Sequence, residues 1–180
     1  MDKDLTNKSK TKYLLIDGYN VINAWRDIFN LEKESLEECR EKLLFILSNY
    51  EGYKKIHIIV VFDAHLVDGS KMKIEKYDNI TVVFTREKQT ADNYIERFVY
   101  KFGSENTIWV VTSDYMEQVT VLKVGGARIT PAELRKEITS MHNANMAKNR
   151  RRNQHNERNT VISNIKPELA ELLEKMRRDS

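Results

Sequence analysis

Leu14-Leu15-Ile16-Asp17-Gly18-Tyr19-Asn20 decides how the rest of the chain is read. The apolar run Tyr13–Ile16 has no polar alternation, so it reads as a strand buried on both faces, and it ends on an aspartate. The same grammar recurs three times. Ile56–Phe62 runs into Asp63, and Ile108–Val111 runs into Thr112-Ser113-Asp114. Ile80–Phe84 is followed by Thr85 and, after a short loop, by Thr90-Ala91-Asp92. Helical patterns separate these runs. Ser35 and Glu38 make a capping box ahead of Leu36, Cys39, Leu43, Ile46, Leu47 and Tyr50. Thr90 caps a helix expected to reach Phe102, with Gly103 closing it. Ser113 caps a shorter helix ending at Gly125-Gly126, and Thr130-Pro131-Ala132-Glu133 starts another. Strands alternating with helices make βαβ units, so the expected fold is α/β, with a mainly parallel sheet covered on both faces.

Outward from this body, the composition bounds the class. The chain has 180 residues, 41% hydrophobic and 32% charged, which suits one soluble domain with a polar appendage. A lone cysteine, Cys39, excludes an internal disulfide and points to a reducing compartment. Met1–Lys12 is polar and lacks the apolar centre of a signal peptide, and no apolar run approaches the ~20 residues that span a bilayer. The expected location is the cytoplasm, with no membrane partner. Residues 1–12 read as a polar tail, 13–140 as the main domain and 141–180 as a basic helical extension. From Met141 onward, nine Lys/Arg stand against five acids; this +4 within a total of +3 leaves −1 for residues 1–140. Lys148, Arg150, Arg151 and Arg152 are the densest cationic cluster, suited to a polyanion or simply to a solvated helix end. A short apolar stripe, Leu169, Leu172, Leu173 and Met176, predicts a helix behind Pro167.

In an open parallel sheet, ligands bind at the carboxyl ends of the strands, where the chain order reverses. Asp17, Asp63, Asp92 and Asp114 all fall on that rim, and Glu96, four residues after Asp92, shares its helix face. Converging carboxylates repel unless a cation sits among them, and oxygen ligands suit Mg²⁺ or Mn²⁺ rather than zinc. Such a site fits in-line attack of a metal-activated water on a phosphodiester, with one ion or two. Any one of these aspartates by itself reads as a cap or a turn former; four of four at strand ends do not. Asn20 is either a turn residue or a group that orients Asp17 and a ligand water. Thr112 and Ser113 either hold a phosphate or an aspartate, or serve the helix start. Tyr19 and Trp25 either stack on a base or cap the core, Trp109 reads as core, and His57 and His65 read as surface or packing residues without a metal partner.

Four ordered motifs carry a resemblance: Leu-Leu-Ile-Asp-Gly-Tyr-Asn-Val-Ile at 14–22, Val-Val-Phe-Asp-Ala-His at 60–65, Val-Phe-Thr-Arg-Glu with Thr-Ala-Asp-Asn-Tyr-Ile-Glu within 83–96, and Val-Thr-Ser-Asp-Tyr-Met-Glu-Gln at 111–118. They resemble the bacterial YacP-type NYN-domain proteins. The resemblance implies a PIN-like three-layer α/β/α fold and a Mg²⁺/Mn²⁺-dependent endoribonuclease, linked to cleavage of messenger RNA on the ribosome. It also implies that Asp17, Asp92 and Asp114 are metal-site acids, that Asp63 is an acid typical of the bacterial branch, and that Asn20 supports the first aspartate. Two positions depart from the pattern. Lys123 stands where the family often has glycine, and Gln118 where some eukaryotic relatives carry a further acid. The fourth ligand is therefore open between Asp63, Glu96 and Glu117.

Two phosphoryl-transfer readings fail on single residues. A response-regulator receiver needs an acidic pair after its first strand, whereas Asp17 is alone there. A haloacid-dehalogenase-like phosphatase needs a second aspartate where Tyr19 stands. The competing reading is a non-enzyme, an RNA- or ribosome-binding adaptor with a degenerate site. Retention of all four aspartates argues against it.

Overall fold

A computed structural model of the chain describes residues 10–63, 71–113 and 126–144. The elements run β1 (Lys12–Asp17), α1 (Gly18–Ala24), α2 (Leu36–Lys54), β2 (His57–Phe62), β3 (Lys73–Tyr77), β4 (Ile80–Phe84), α3 (Ala91–Phe102), β5 (Thr107–Val111) and β6 (Ala127–Ile129). The strands form one sheet in the order β3-β4-β2-β1-β5-β6, parallel except for the β3–β4 pair. The chain divides into two units, Met1–Lys136 and Glu137–Ser180. Residues 131–136 are helical at the end of the first, and 137–144 are the described part of the second, also helical.

Both faces of the sheet are covered. Leu15, Ile59, Val61, Val83 and Val110 pack with Ala91, Ile95 and Val99 of α3 in one buried cluster. Because side chains alternate along a strand, Leu14, Ile16, Ile58, Val60 and Phe62 face the other way, and all five are buried. On that side, Val21 and Ile22 of α1 and Leu43 and Leu47 of α2 are buried too. The layering is α/β/α. Among the described residues, no helix is long and apolar enough to cross a membrane.

The helix starts expected at Ser35, Thr90 and Thr130 are present. Ser35 and Glu38 exchange the two bonds of a capping box (Ser35 N to Glu38 Oε2 2.7 Å; Glu38 N to Ser35 Oγ 3.2 Å), and α2 runs to Lys54. Thr90 caps α3, which ends at Gly103 in a right-handed conformation. Thr130 and Glu133 make a second capping box, with Thr130 N to Glu133 Oε2 at 2.7 Å and Glu133 N to Thr130 Oγ1 at 3.1 Å.

The structure corrects the expected pattern in four places. The sheet has six strands rather than four. β3, Lys-Ile-Glu-Lys-Tyr, is an exposed edge strand with Ile74 56% accessible, so it lacks the apolar run that marks its neighbours. β6 has three residues, two of them exposed. The stretch after Asp17, where no helical pattern is expected, is a short helix, since α1 begins at Gly18. Trp109 is half-buried rather than core, in register with Leu14 on the neighbouring strand. The helices expected at 113–125 and behind Pro167 lie outside the described residues, as do His65, Glu117 and the cations Lys148, Arg150, Arg151 and Arg152.

Candidate functional site

Strand register brings the acids together. Asp17 is level with Val61, so Asp63 lies two residues beyond it on β2's side. Ile16 is level with Val111, which places Thr112 beside Asp17 on the other side. The chain leaves β1 toward β2 and β4, then crosses back to β5 and β6, so its order reverses between β1 and β5. That is where such sheets open a crevice at their carboxyl ends.

Asp17 caps α1. Its Oδ1 accepts the backbone N–H of Asn20 at 3.0 Å, a bond that favours the charged carboxylate. Burial outweighs that bond, and the nearby charges of Asp92 and Asp63 add to it, raising the Asp17 pKa from 3.8 to about 6. Asp63 accepts the backbone N–H of Ala91, the first residue of α3, and so ties the end of β2 to the start of that helix. Asp92 occupies the first turn of α3, exposed, and Glu96 is exposed one turn on.

Asn20 turns out to be a tie across the crevice. Its Oδ1 accepts from both the backbone N–H of Ser113 (3.1 Å) and the Ser113 hydroxyl (2.8 Å), joining the start of α1 to the end of β5. Thr112 is fully buried and its N–H donates to Ile129 O at 3.2 Å, so it serves the β5–β6 edge. Asp114, the next residue after Ser113, lies outside the described residues. Among the described residues, no three His, Cys, Asp or Glu side chains form a group able to hold a metal ion. What the structure brings together is Asp17, Asp63 and Asp92, linked through their charges, with Asn20 tied to Ser113 beside them.

Gly18 and Phe62 build the floor of this rim. A Cβ at position 18 would lie 2.2 Å from Cε1 of Phe62, a ring that is fully buried. That ring also meets Tyr19 edge-on, centroids 5.1 Å apart, and stacks on Phe84 at 5.7 Å. Tyr19 in turn accepts from Arg40 Nη1 at 2.9 Å. Trp25 is buried, stacks on Phe29 at 6.2 Å, and donates its indole N–H to Pro131 O at 2.9 Å. Of the two roles open to Trp25 from sequence, the structure assigns core. His57 is exposed, 5.4 Å from the Tyr13 ring, a packing residue as expected.

Comparison with known proteins agrees with this architecture. Residues 14–178 match the family described as "YacP-like NYN domain". The "Uncharacterized protein YacP" of Bacillus subtilis (strain 168) is 40% identical over 129 residues, 71% of this chain and 75% of that protein. The crystal structure of Rae1 (YacP) from Bacillus subtilis matches with a TM-score of 0.67 at 33% identity, over 93% of this chain and 95% of that one. A tryptophan-to-leucine mutant of Rae1 gives 0.66 at 32% identity, over 80% and 85% of the two chains. The mostly parallel sheet between helical layers is thus a PIN-like, nuclease-type fold, and the chain belongs to the YacP-like NYN domain family.

Proposed function

We propose that this protein is a Mg²⁺- or Mn²⁺-dependent endoribonuclease that cleaves single-stranded RNA, with messenger RNA on the ribosome as its expected substrate. The observation that carries the reading is the burial of Asp17 beside Asp63 and Asp92, which leaves it with a pKa of about 6 and an unmet need for positive charge. The donor set is all oxygen, which fits a hard divalent cation. Asp17, Asp92 and Asp114 would hold it, with Asp63 or Glu96 completing the set. Bound there, such an ion supplies a water of lowered pKa and offsets charge on the phosphate.

The chain's own residues do the positioning. Asp17 is fixed by the Asn20 N–H, Asp63 by the Ala91 N–H, and Ser113 by Asn20, so three segments distant in sequence hold one geometry. Lys148, Arg150, Arg151 and Arg152 in the 141–180 extension would grip RNA phosphates outside the 13–140 domain. The cytoplasm follows from such a substrate. The test is incubation with translating ribosomes and messenger RNA, followed by mapping of new 5′ ends. Ends that appear with the native chain and vanish with Asp92→Asn support the reading. Binding to ribosomes without new ends would make the protein an adaptor.

A further inference from the structure

A cleft of about 610 Å³ lies along α3, and Lys71, Arg86, Tyr94, Arg97, Phe98 and Lys101 are among its walls; none of the described lining residues is acidic. Helical spacing sets it apart from the acid rim. Asp92 and Glu96 lie on one stripe of α3, whereas Tyr94, Arg97, Phe98 and Lys101, at i, i+3, i+4 and i+7, occupy the opposite one. The rings are held in place. Tyr94 and Phe98 are partly buried against the α3 core cluster, and Phe98 meets Tyr13 edge-on at 5.5 Å and Phe102 at 4.7 Å. The cations are exposed, and the ion pairs found among the described residues involve none of the four.

Four gathered cations, with no carboxylate among the described lining residues, repel one another and suit a polyanion. Rings half-exposed among them suit a ligand that has flat faces as well as phosphates. Single-stranded nucleic acid has both, whereas a duplex hides its base faces by stacking. A volume of this size is in the ordinary range for a bound organic group, here a nucleotide or two. The axial distance from Asp92 to Lys101 is about 14 Å, so a strand lying on the rim would reach the cleft within a few nucleotides.

We infer that this cleft binds an unpaired RNA segment flanking the scissile bond, with Tyr94 and Phe98 stacking on a base and Arg97, Lys101, Arg86 and Lys71 contacting phosphates. The inference rests on the endoribonuclease reading for its substrate. The experiment measures binding of a labelled single-stranded oligoribonucleotide in EDTA, where no cleavage occurs, across a salt series. Arg97→Ala/Lys101→Ala should weaken binding and flatten the log–log salt slope by about 1.4 units. Tyr94→Leu, which keeps an apolar side chain on the core, should weaken binding on the order of tenfold at unchanged slope, and Tyr94→Phe should restore it. A duplex of the same sequence should be indifferent to Tyr94→Leu.

Unchanged affinity and slope in the double variant, with its melting temperature intact, would overturn the inference. Equal losses on duplex and single strand with Tyr94→Leu would overturn the stacking role. The two readings separate cleanly. If the native chain cleaves RNA and the cleft variants bind normally, only the cleft fails. If the cleft variants lose binding and the native chain never cleaves, the endoribonuclease reading fails, and with it the cleft's place beside a scissile bond, while the cleft stands as a single-stranded RNA site.

Discussion

The two sides of α3 carry opposite charge and are built by opposite means. On one, Asp17 and Asp63 stand at strand ends and Asp92 in the first turn of the helix, near enough for the charges of Asp92 and Asp63 to act on Asp17, and backbone N–H groups hold the first two. On the other, exposed Arg97 and Lys101 share a helical stripe with half-buried Tyr94 and Phe98, and Lys71 and Arg86 join from outside the helix. On the acid side Asp17 caps α1 and Asp63 accepts the first N–H of α3, so displacing either one also disturbs a helix start. The basic side is anchored through its rings, and its cations are exposed. Function on the first side and stability are entangled; on the second they are separable.

Substitutions that act on one side alone sharpen this contrast. The largest effect is expected from Gly18→Ala, which drives a methyl group into the buried Phe62 ring beneath the acids. Overpacking of this kind costs about 3 kcal/mol, and a denaturant titration should show it. Gly18→Ala/Phe62→Leu should recover part of the loss, because the clash is pairwise. An unchanged midpoint for Gly18→Ala would mean that the rim's floor is soft. Next comes the extension. Alanine at Arg150, Arg151 and Arg152 should flatten the salt slope of RNA binding by about 2 units, on the order of twentyfold over a fourfold rise in salt. Those losses should add to the cleft variant's if the two basic regions hold separate phosphates, and non-additive slopes would show that they share one.

The smallest effect concerns pH. Asp17 has a folded pKa of about 6 against an ordinary 3.8, so the folded chain binds its proton more tightly than the unfolded chain does. In metal-free protein this stabilises below the ordinary value and is lost as pH rises through about 6. Between pH 5 and 7.5 the loss is about 1 kcal/mol. Urea melts in EDTA at those two values should show it in the native chain and not in Asp17→Asn. The same pH dependence in both would place the strained group elsewhere.

The parts of the molecule that could be read from sequence are those where one signal decides. β1, β2, β4 and β5 are buried on both faces, and burial leaves an unbroken apolar run such as Ile58–Phe62. Their ends then locate the aspartates without further information. β3 stayed hidden because an edge strand with exposed Ile74 and Lys76 looks like a loop. α1 stayed hidden because Gly18 and Asn20 favour turns, and only the fit of Gly18 against Phe62 explains a glycine at a helix start. The Asp17–Asn20 capping spacing was available as a signal. The Asn20–Ser113 tie spans 93 residues and needs the strand register to be seen. The basic cleft likewise joins Lys71, Arg86 and α3, although the Tyr94-Arg97-Phe98-Lys101 spacing alone marked a mixed cationic and aromatic stripe.

Asp17→Asn tests the account most directly, because asparagine still caps α1 while the charge is removed. Native and variant proteins, matched for melting temperature, would be given a single-stranded RNA with Mn²⁺, with Mg²⁺ or with EDTA. The account expects cleavage by the native chain with either metal, none in EDTA, and a rate lower by on the order of 100-fold or more for the variant with metal. Metal-dependent cleavage at the native rate by folded Asp17→Asn would contradict it.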